Sequence, residues 1–261
     1  NNNNNNNTPV IFLHGLLGSK RNFASLAASL GAQLTKKRPI LALDLRNHGD
    51  NHDWRDTMTY EEMAEDVIHK LDLQNIDRAV LVGHSMGGKV AQMISLLYPH
   101  RVEGLVVIDM APVTYTDQDP SWKAVKDIIH FLGTVQLDDQ QTKQTVDKQL
   151  RTQLPDPALR AFVLTNLDTT NMKWKIPVKI FADQLGILAG FASDSPHETS
   201  QQTQPQYAGD AFFIHGGQSK FVRHAYMDTI ASYFPNHMLT TIRGAGHWVH
   251  AEAPDDTIAL L

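Results

Sequence analysis

Residues 80–90 read "VLVGHSMGGKV", an apolar run that meets Gly-His-Ser-Met-Gly and then passes into helical spacing. A serine between two glycines at the end of a buried strand suits a sharp strand-to-helix turn that exposes a hydroxyl. Side chains at the two flanking positions would collide with neighbouring backbone. The turn holds Ser85 in a strained conformation that lifts its oxygen clear of the sheet. It also aims the N–H groups of the next helix at whatever that oxygen attacks. Ser85 is therefore the candidate nucleophile. The plain alternative, a tight turn with an incidental serine, is weakened by its place after the third strand of an alternating pattern.

A serine hydroxyl needs a base within hydrogen-bond reach. The chain has 13 histidines, so most are bystanders. His247, in "RGAGHWVH", follows the last expected strand, and loops after parallel strands gather at one sheet edge. His84 adjoins Ser85 but points away from it on an elbow, as a structural or substrate-contacting residue. His14 and His48 belong to loops at the same edge and can line the site. His250, three residues beyond His247, raises a zinc alternative that lacks an evident third ligand.

A triad in this chain order needs a carboxylate between the serine and the histidine, usually in the loop after the strand "AFFIHGG". That loop reads "GGQSKFV" and has none. The neighbouring strand "GLVVIDM" ends in Asp109 at the correct edge. A charge closing a run of Val, Val and Ile is costly unless paired, and pairing with His247 would satisfy both groups. Asp183, Asp194 and Asp210 are weaker candidates, and a strand-end aspartate that merely caps a loop is the bland one. The two oxyanion donors are expected at the Met86 N–H and in the turn "HGLLGS", at Leu16 and next at Leu17. Leu17, His14, His84 and Trp248 are the expected substrate contacts.

These positions require elements to carry them. "PVIFLHG" (9–15), "PILALDL" (39–45), "RAVLVG" (78–83) and "GLVVIDM" (104–110) are short apolar runs of the kind buried in parallel sheets. Between them lie helical segments at 20–34, 59–73 and 87–99, the second opening on Thr59 and Glu62 at capping-box spacing. "RNHGDNHDWRD" (46–56) reads as a polar loop. The alternation implies right-handed crossovers and a parallel sheet. It breaks after Pro112, continues as a polar, helix-bearing stretch with no buried strand until "VKIFA", and resumes with a strand at 211–217, a helix at 221–234, a strand and loop at 238–248 and a last helix. The expected organisation is a core over 8–112 and 208–261 with a cap insertion over 113–207. Residues 1–7, all asparagine, are not expected to fold.

Composition limits the function class. The 261 residues are 42% hydrophobic, enough for one large α/β core with an insertion. A net charge of −5 and the lack of a basic run argue against nucleic-acid binding, and zero cysteines exclude disulfides and thiolate metal sites. No apolar run reaches the roughly 18–20 residues of a membrane span. An intracellular protein, cytoplasmic or mitochondrial, is expected, with any targeting segment lying ahead of Thr8.

Taken together, "FLHGLLGSKRNF", "LALDLRNHGDN", "MTYEEMAEDV", "GHSMGGKVAQ", "VVIDMAPV", "FIHGGQSKFV" and "AGHWVHAEAP" resemble the α/β-hydrolase superfamily over nearly everything from Pro9 to Leu261. They are closer still to the ABHD11 / YbfF-type esterase group, which includes the yeast-type ethanol acetyltransferases. In that group the triad acid is generally at the strand end matching Asp109. Two departures are an Asn51 where a serine is usual and the lack of the first two superfamily strands before Pro9. The resemblance implies an α/β-hydrolase fold, a mostly parallel sheet flanked by helices with an inserted helical cap. It also implies hydrolysis of short- to medium-chain acyl esters or thioesters through an acyl-enzyme on Ser85, with no metal or organic cofactor. Acyl transfer to an alcohol is the alternative, and a non-catalytic partner-binding role on the same fold is a second one. Dehalogenase and epoxide hydrolase chemistry would need Asp in place of Ser85. Trp122, Phe131, Leu132, Phe162, Leu164, Met172 and Trp174 are candidates to shape the acyl pocket.

Overall fold

Apolar residues on both faces mark a strand covered on both sides. In β1 (Val10–Leu13) all four side chains are buried. Successive side chains of a strand point to opposite faces, so one strand feeds two cores. Ile11, Leu13, Leu81, Leu105 and Val107 enter the larger core. Val10, Phe12, Val82, Ile108 and Ile214 enter the other. The structure is a computed structural model that describes residues 8–191 and 204–261. The seven asparagines, Asp194 and residues 192–203 of the expected insertion lie outside the described residues.

After β1 come α1 (Ala24–Gln33), β2 (Ile40–Leu43), α2 (Tyr60–Leu73), β3 (Ala79–His84), α3 (Met86–Leu97) and β4 (Val102–Ile108). The sheet resumes with β7 (Ala211–Gly216), α9 (Met227–Tyr233), β8 (His237–Ile242), α10 (Val249–Glu252) and α11 (Pro254–Leu260). The strand order is β2-β1-β3-β4-β7-β8, and every pair is parallel. The C-terminal ends of β1, β3, β4, β7 and β8 therefore share one edge. α2 starts as its sequence predicts: Thr59 Oγ1 accepts the Glu62 N–H at 3.2 Å, and Glu62 accepts the Thr59 N–H at 3.2 Å.

Between β4 and β7 lie α4 (Pro120–Thr134), α5 (Lys143–Leu150), α6 (Pro157–Val163), α7 (Val178–Asp183) and α8 (Leu185–Ala189). A two-residue ladder of β5 (Leu167–Asp168) against β6 (Lys173–Trp174) interrupts them. "VKIFA" is helical rather than a strand. Its buried positions, Val178 and Phe181, continue at Leu185 and Leu188, a helical spacing that a window of five residues hides. The helix expected over 221–234 is regular only from Met227, after a 3₁₀ turn at His224–Tyr226. Phe221 instead stays in the loop, where its carbonyl accepts the buried Tyr115 hydroxyl at 2.6 Å.

The 46–56 loop is far from a plain solvated one. Arg46, Asn47 and His48 are buried. Arg46 Nε meets Asp66 at 2.7 Å, and Asn47 exchanges two hydrogen bonds with the Arg55 backbone at 2.8 and 2.9 Å. Side-chain partners replace the water that a polar loop would otherwise need.

Candidate active site

Ser85 adopts φ 54°, ψ −120° at the junction of β3 and α3. Such a conformation costs a non-glycine residue about 1–3 kcal/mol and persists only where packing enforces it. The enforcement is visible in the glycines. A Cβ on Gly83 would overlap the Gly87 carbonyl oxygen, and one on Gly87 would overlap the carbonyl oxygen of Leu13 at the end of β1. Asp109, the first residue past β4, is also left-handed at φ 52°.

These turns bring three side chains into series. The Ser85 hydroxyl lies 2.9 Å from His247 Nε2, and His247 Nδ1–H donates to Asp109 Oδ2 at 2.7 Å. Asp109 is fully buried, whereas Ser85 and His247 are half-buried and open to a cavity. A buried carboxylate demands donors. Gly216 N–H supplies one to Oδ1 at 3.0 Å, and the Ser219 hydroxyl supplies another to Oδ2. Gly216 closes β7, and Ser219 lies in the loop after it, which carries no acid of its own. Ser219 Oγ is held in turn by the Phe221 N–H at 3.2 Å. Sequence reasoning missed these two donors, although the serine of "GGQSKFV" was in plain sight.

The weaker acids are elsewhere. Asp210 precedes β7, at the opposite end of the strand from Asp109's contacts, and its carbonyl accepts the Leu105 N–H. Asp183 pairs with Lys179 at 2.5 Å with both side chains exposed.

Among the described residues, neither the Leu16 N–H nor the Met86 N–H, both close to Ser85, donates to a protein acceptor. Met86 opens α3, where helix geometry leaves the first N–H groups unused. Leu17, the next candidate, is not available: its N–H donates to His48 Nε2 at 3.1 Å and its carbonyl accepts Asn166 Nδ2 at 2.8 Å. Leu17 also has a left-handed φ of 62°, and Leu16 before it lines the same cavity as Ser85. Gly15 lets this loop approach, since a Cβ there would come within 3.1 Å of the Ser85 Cβ.

The histidines divide by partner. His48 does not line the cavity; its Nδ1–H donates to the Arg46 carbonyl at 2.7 Å and its ring stacks on Phe181. His14 Nδ1–H donates to the Gly15 carbonyl at 2.8 Å, and its Nε2 accepts the Leu45 N–H at 3.1 Å. Burial lowers His14 to about 4 and His48 to about 3, so both are neutral at pH 7 and hold one tautomer. His84 lines the cavity wall, yet its Nε2–H donates to the His247 carbonyl at 2.8 Å. Burial and the neighbouring histidines push it well below the ordinary value. His250 packs against Phe23 and His84, and burial lowers it to about 4. Among the described residues, no group of three or more His, Cys, Asp or Glu is arranged around a cation site.

The cavity above Ser85 encloses about 530 Å³. Leu16, Leu17, His14, His84, Met86 and Trp248 all line it. Trp122, Val125 and Ile128 of α4, with Phe162 of α6 and Leu188 of α8, form apolar walls. Of the insertion residues singled out by sequence, Trp122 and Phe162 face the cavity. Leu132, Leu164 and Met172 pack in the core, while Phe131 and Trp174 are partly buried against it. Lys89, one turn beyond Ser85 on α3, is the unexpected lining residue. Its ammonium donates to the Ala189 and Gly190 carbonyls at 2.8 and 2.6 Å and lies 4.8 Å from the Tyr115 ring centroid. Tyr60 adds a bond to the Leu188 carbonyl at 2.8 Å. The end of α8 is thereby tied to α2 and α3. No helix among the described residues is long and apolar enough to cross a membrane.

Comparison with known proteins agrees with the fold described above. The family described as "alpha/beta hydrolase fold" matches residues 8–254. The sn-1-specific diacylglycerol lipase ABHD11 of Mus musculus is 36% identical over 253 residues, 95% of this chain and 77% of that protein. Esterase YbfF of Escherichia coli strain K12 is 35% identical over 249 residues, 95% of this chain and 89% of the other. A solved marine microorganism esterase superposes with a TM-score of 0.88 at 31% identity, covering 97% of this chain and 93% of its own.

Proposed function

The chain belongs to the α/β-hydrolase family, and from that premise we propose that it is a serine hydrolase cleaving short- to medium-chain carboxylic esters or thioesters. The observation that carries this is the series Ser85–His247–Asp109, with 2.9 and 2.7 Å links, opening into a largely apolar cavity. The substrate acyl chain lies against the apolar walls supplied by α4, α6 and α8, with the expected insertion over 113–207 acting as the cap. The carbonyl oxygen takes the Leu16 and Met86 N–H groups. Ser85 Oγ attacks the carbonyl carbon as His247 Nε2 accepts its proton. Asp109 holds the imidazole in the tautomer that leaves Nε2 free to accept, and stabilises the imidazolium. Negative charge on the tetrahedral oxygen is met by the two fixed N–H dipoles. Collapse breaks the ester C–O or thioester C–S bond, and His247 returns the proton to the departing alcohol or thiol. Water, deprotonated by the same Nε2, then cleaves the acyl-enzyme and regenerates Ser85.

The test is labelling by a fluorophosphonate probe together with a screen of p-nitrophenyl esters by acyl length. Parent protein is expected to label at Ser85 and to turn over esters, and Ser85→Ala to do neither. Absence of both label and turnover in the parent sinks the hydrolase reading and leaves partner binding. Adding ethanol separates water from alcohol as the acceptor: acid as the main product supports hydrolysis, ethyl ester supports acyl transfer.

A further inference from the structure

An imidazole is placed only as well as the backbone that carries it. His247 sits in the 243–248 loop between β8 and α10, where neither ladder nor helix satisfies its peptide groups. Such groups need partners, and side chains provide them. Glu252, at the end of α10, accepts the Gly246 N–H on Oε2 at 2.6 Å and the Trp248 N–H on Oε1 at 3.2 Å. One carboxylate thus grips the backbone on both sides of His247. The carbonyl between them accepts the His84 imidazole at 2.8 Å, from the residue next to the nucleophile. Glu252 is itself tied down, its N–H donating to the Trp248 carbonyl at 2.8 Å. Gly246 matters too. A Cβ there would stand 3.1 and 3.2 Å from the two Glu252 oxygens and press on the grip.

We infer that Glu252 is a positioning residue for His247, its two-oxygen brace on the flanking N–H groups holding the imidazole at the Ser85 hydroxyl. This rests on the role proposed for His247. Two converging N–H donors call for an acceptor-only group with two oxygens. Glutamine keeps one acceptor and turns an NH₂ toward the other N–H, while alanine removes both bonds. Glu252 is exposed, so its contribution to stability is small. Its contribution to geometry is not, because about 1 Å of misplacement costs a catalytic group up to roughly 10²-fold. The mark of the brace is therefore a loss in kcat at nearly constant KM and folding.

Glu252→Gln and Glu252→Ala, in the full chain, are compared with the parent on a p-nitrophenyl ester, by thermal unfolding and by proton NMR. The NMR signal is the downfield His247 Nδ1–H, assigned by its disappearance in His247→Gln. The expected fall in kcat is about 10-fold for glutamine and about 10²-fold for alanine, with KM within about twofold. Tm should stay within about 3 °C, and the downfield proton should shift or broaden in both variants. An unchanged kcat and an unchanged resonance in Glu252→Ala overturn the brace, as does a kcat loss matched by an equal loss of folded protein. If the parent neither labels with fluorophosphonate nor turns over ester, the hydrolase reading fails. The NMR signal still decides the brace in that case: unaltered in Glu252→Ala, it refutes it.

Discussion

Replacing Asp109 with asparagine tests the proposed triad at its least obvious member. The carboxylate has both oxygens committed: Oδ1 accepts Gly216 N–H at 3.0 Å, and Oδ2 accepts Ser219 Oγ–H and His247 Nδ1–H, the last at 2.7 Å. Asparagine offers one acceptor oxygen. If that oxygen stays on Gly216, its NH₂ faces Nδ1, and the imidazole must move its proton to Nε2. Nε2 then donates toward Ser85 and cannot take its proton. If the amide flips, Gly216 N–H meets an NH₂ in a fully buried site, at about 1–3 kcal/mol. Loss of the correct tautomer costs such triads about 10⁴-fold, which is about 5 kcal/mol of barrier. The assay is kcat/KM on p-nitrophenyl esters, with thermal unfolding to show that the variant is folded. Asp210→Asn, at the other end of the neighbouring strand, is the control and should stay within about twofold of the parent. A folded Asp109→Asn within about tenfold of the parent would refute the assignment and move the acid elsewhere.

Acid should destabilise the protein through its buried histidines. Unfolded histidines bind a proton below their ordinary value of 6.5, but burial keeps His14 and His250 neutral to about 4 and His48 to about 3. Stability is therefore complete above about pH 6.5 and is lost as pH falls toward 4, by about 2 kcal/mol per imidazole at pH 5; a denaturant midpoint unchanged between pH 7 and 5 contradicts this. Lys89→Met removes the donor to the Gly190 carbonyl and one of two donors to that of Ala189, so Tm should fall by roughly 4–8 °C. The same variant should change the ranking of esters by acyl length, since Leu188 of the freed α8 end lines the cavity; an unaltered ranking with an unaltered Tm argues that α8 is held without Lys89.

Much of this protein is local information. Gly83 and Gly87 flank Ser85 because backbone passes where their side chains would be, and that demand writes itself into five consecutive residues. His247 was legible because it follows the last apolar strand, and Asp109 because a charge closing "GLVVI" must be paired. All six strands of the sheet were legible, the first four of them as short apolar runs. "VKIFA" was not, because its helical period shows only when Leu185 and Leu188 are counted with it. The bias of 221–234 toward helix was overruled at Phe221, whose backbone is committed to Tyr115 from 106 residues away.

The sequence by itself determined the candidate nucleophile, base and acid and the succession of strands along the chain that carry them, since each depends on residue type and spacing within a few positions. Only the tertiary structure decided what holds them. The Ser219 hydroxyl reaches Asp109 across 110 residues, Lys89 reaches Ala189 across 100, and His48 takes the N–H of Leu17 across 31. These contacts depend on which strand lies beside which and in what register. That follows from burying both faces of one parallel sheet at once, a condition on the whole chain that no short stretch of it expresses.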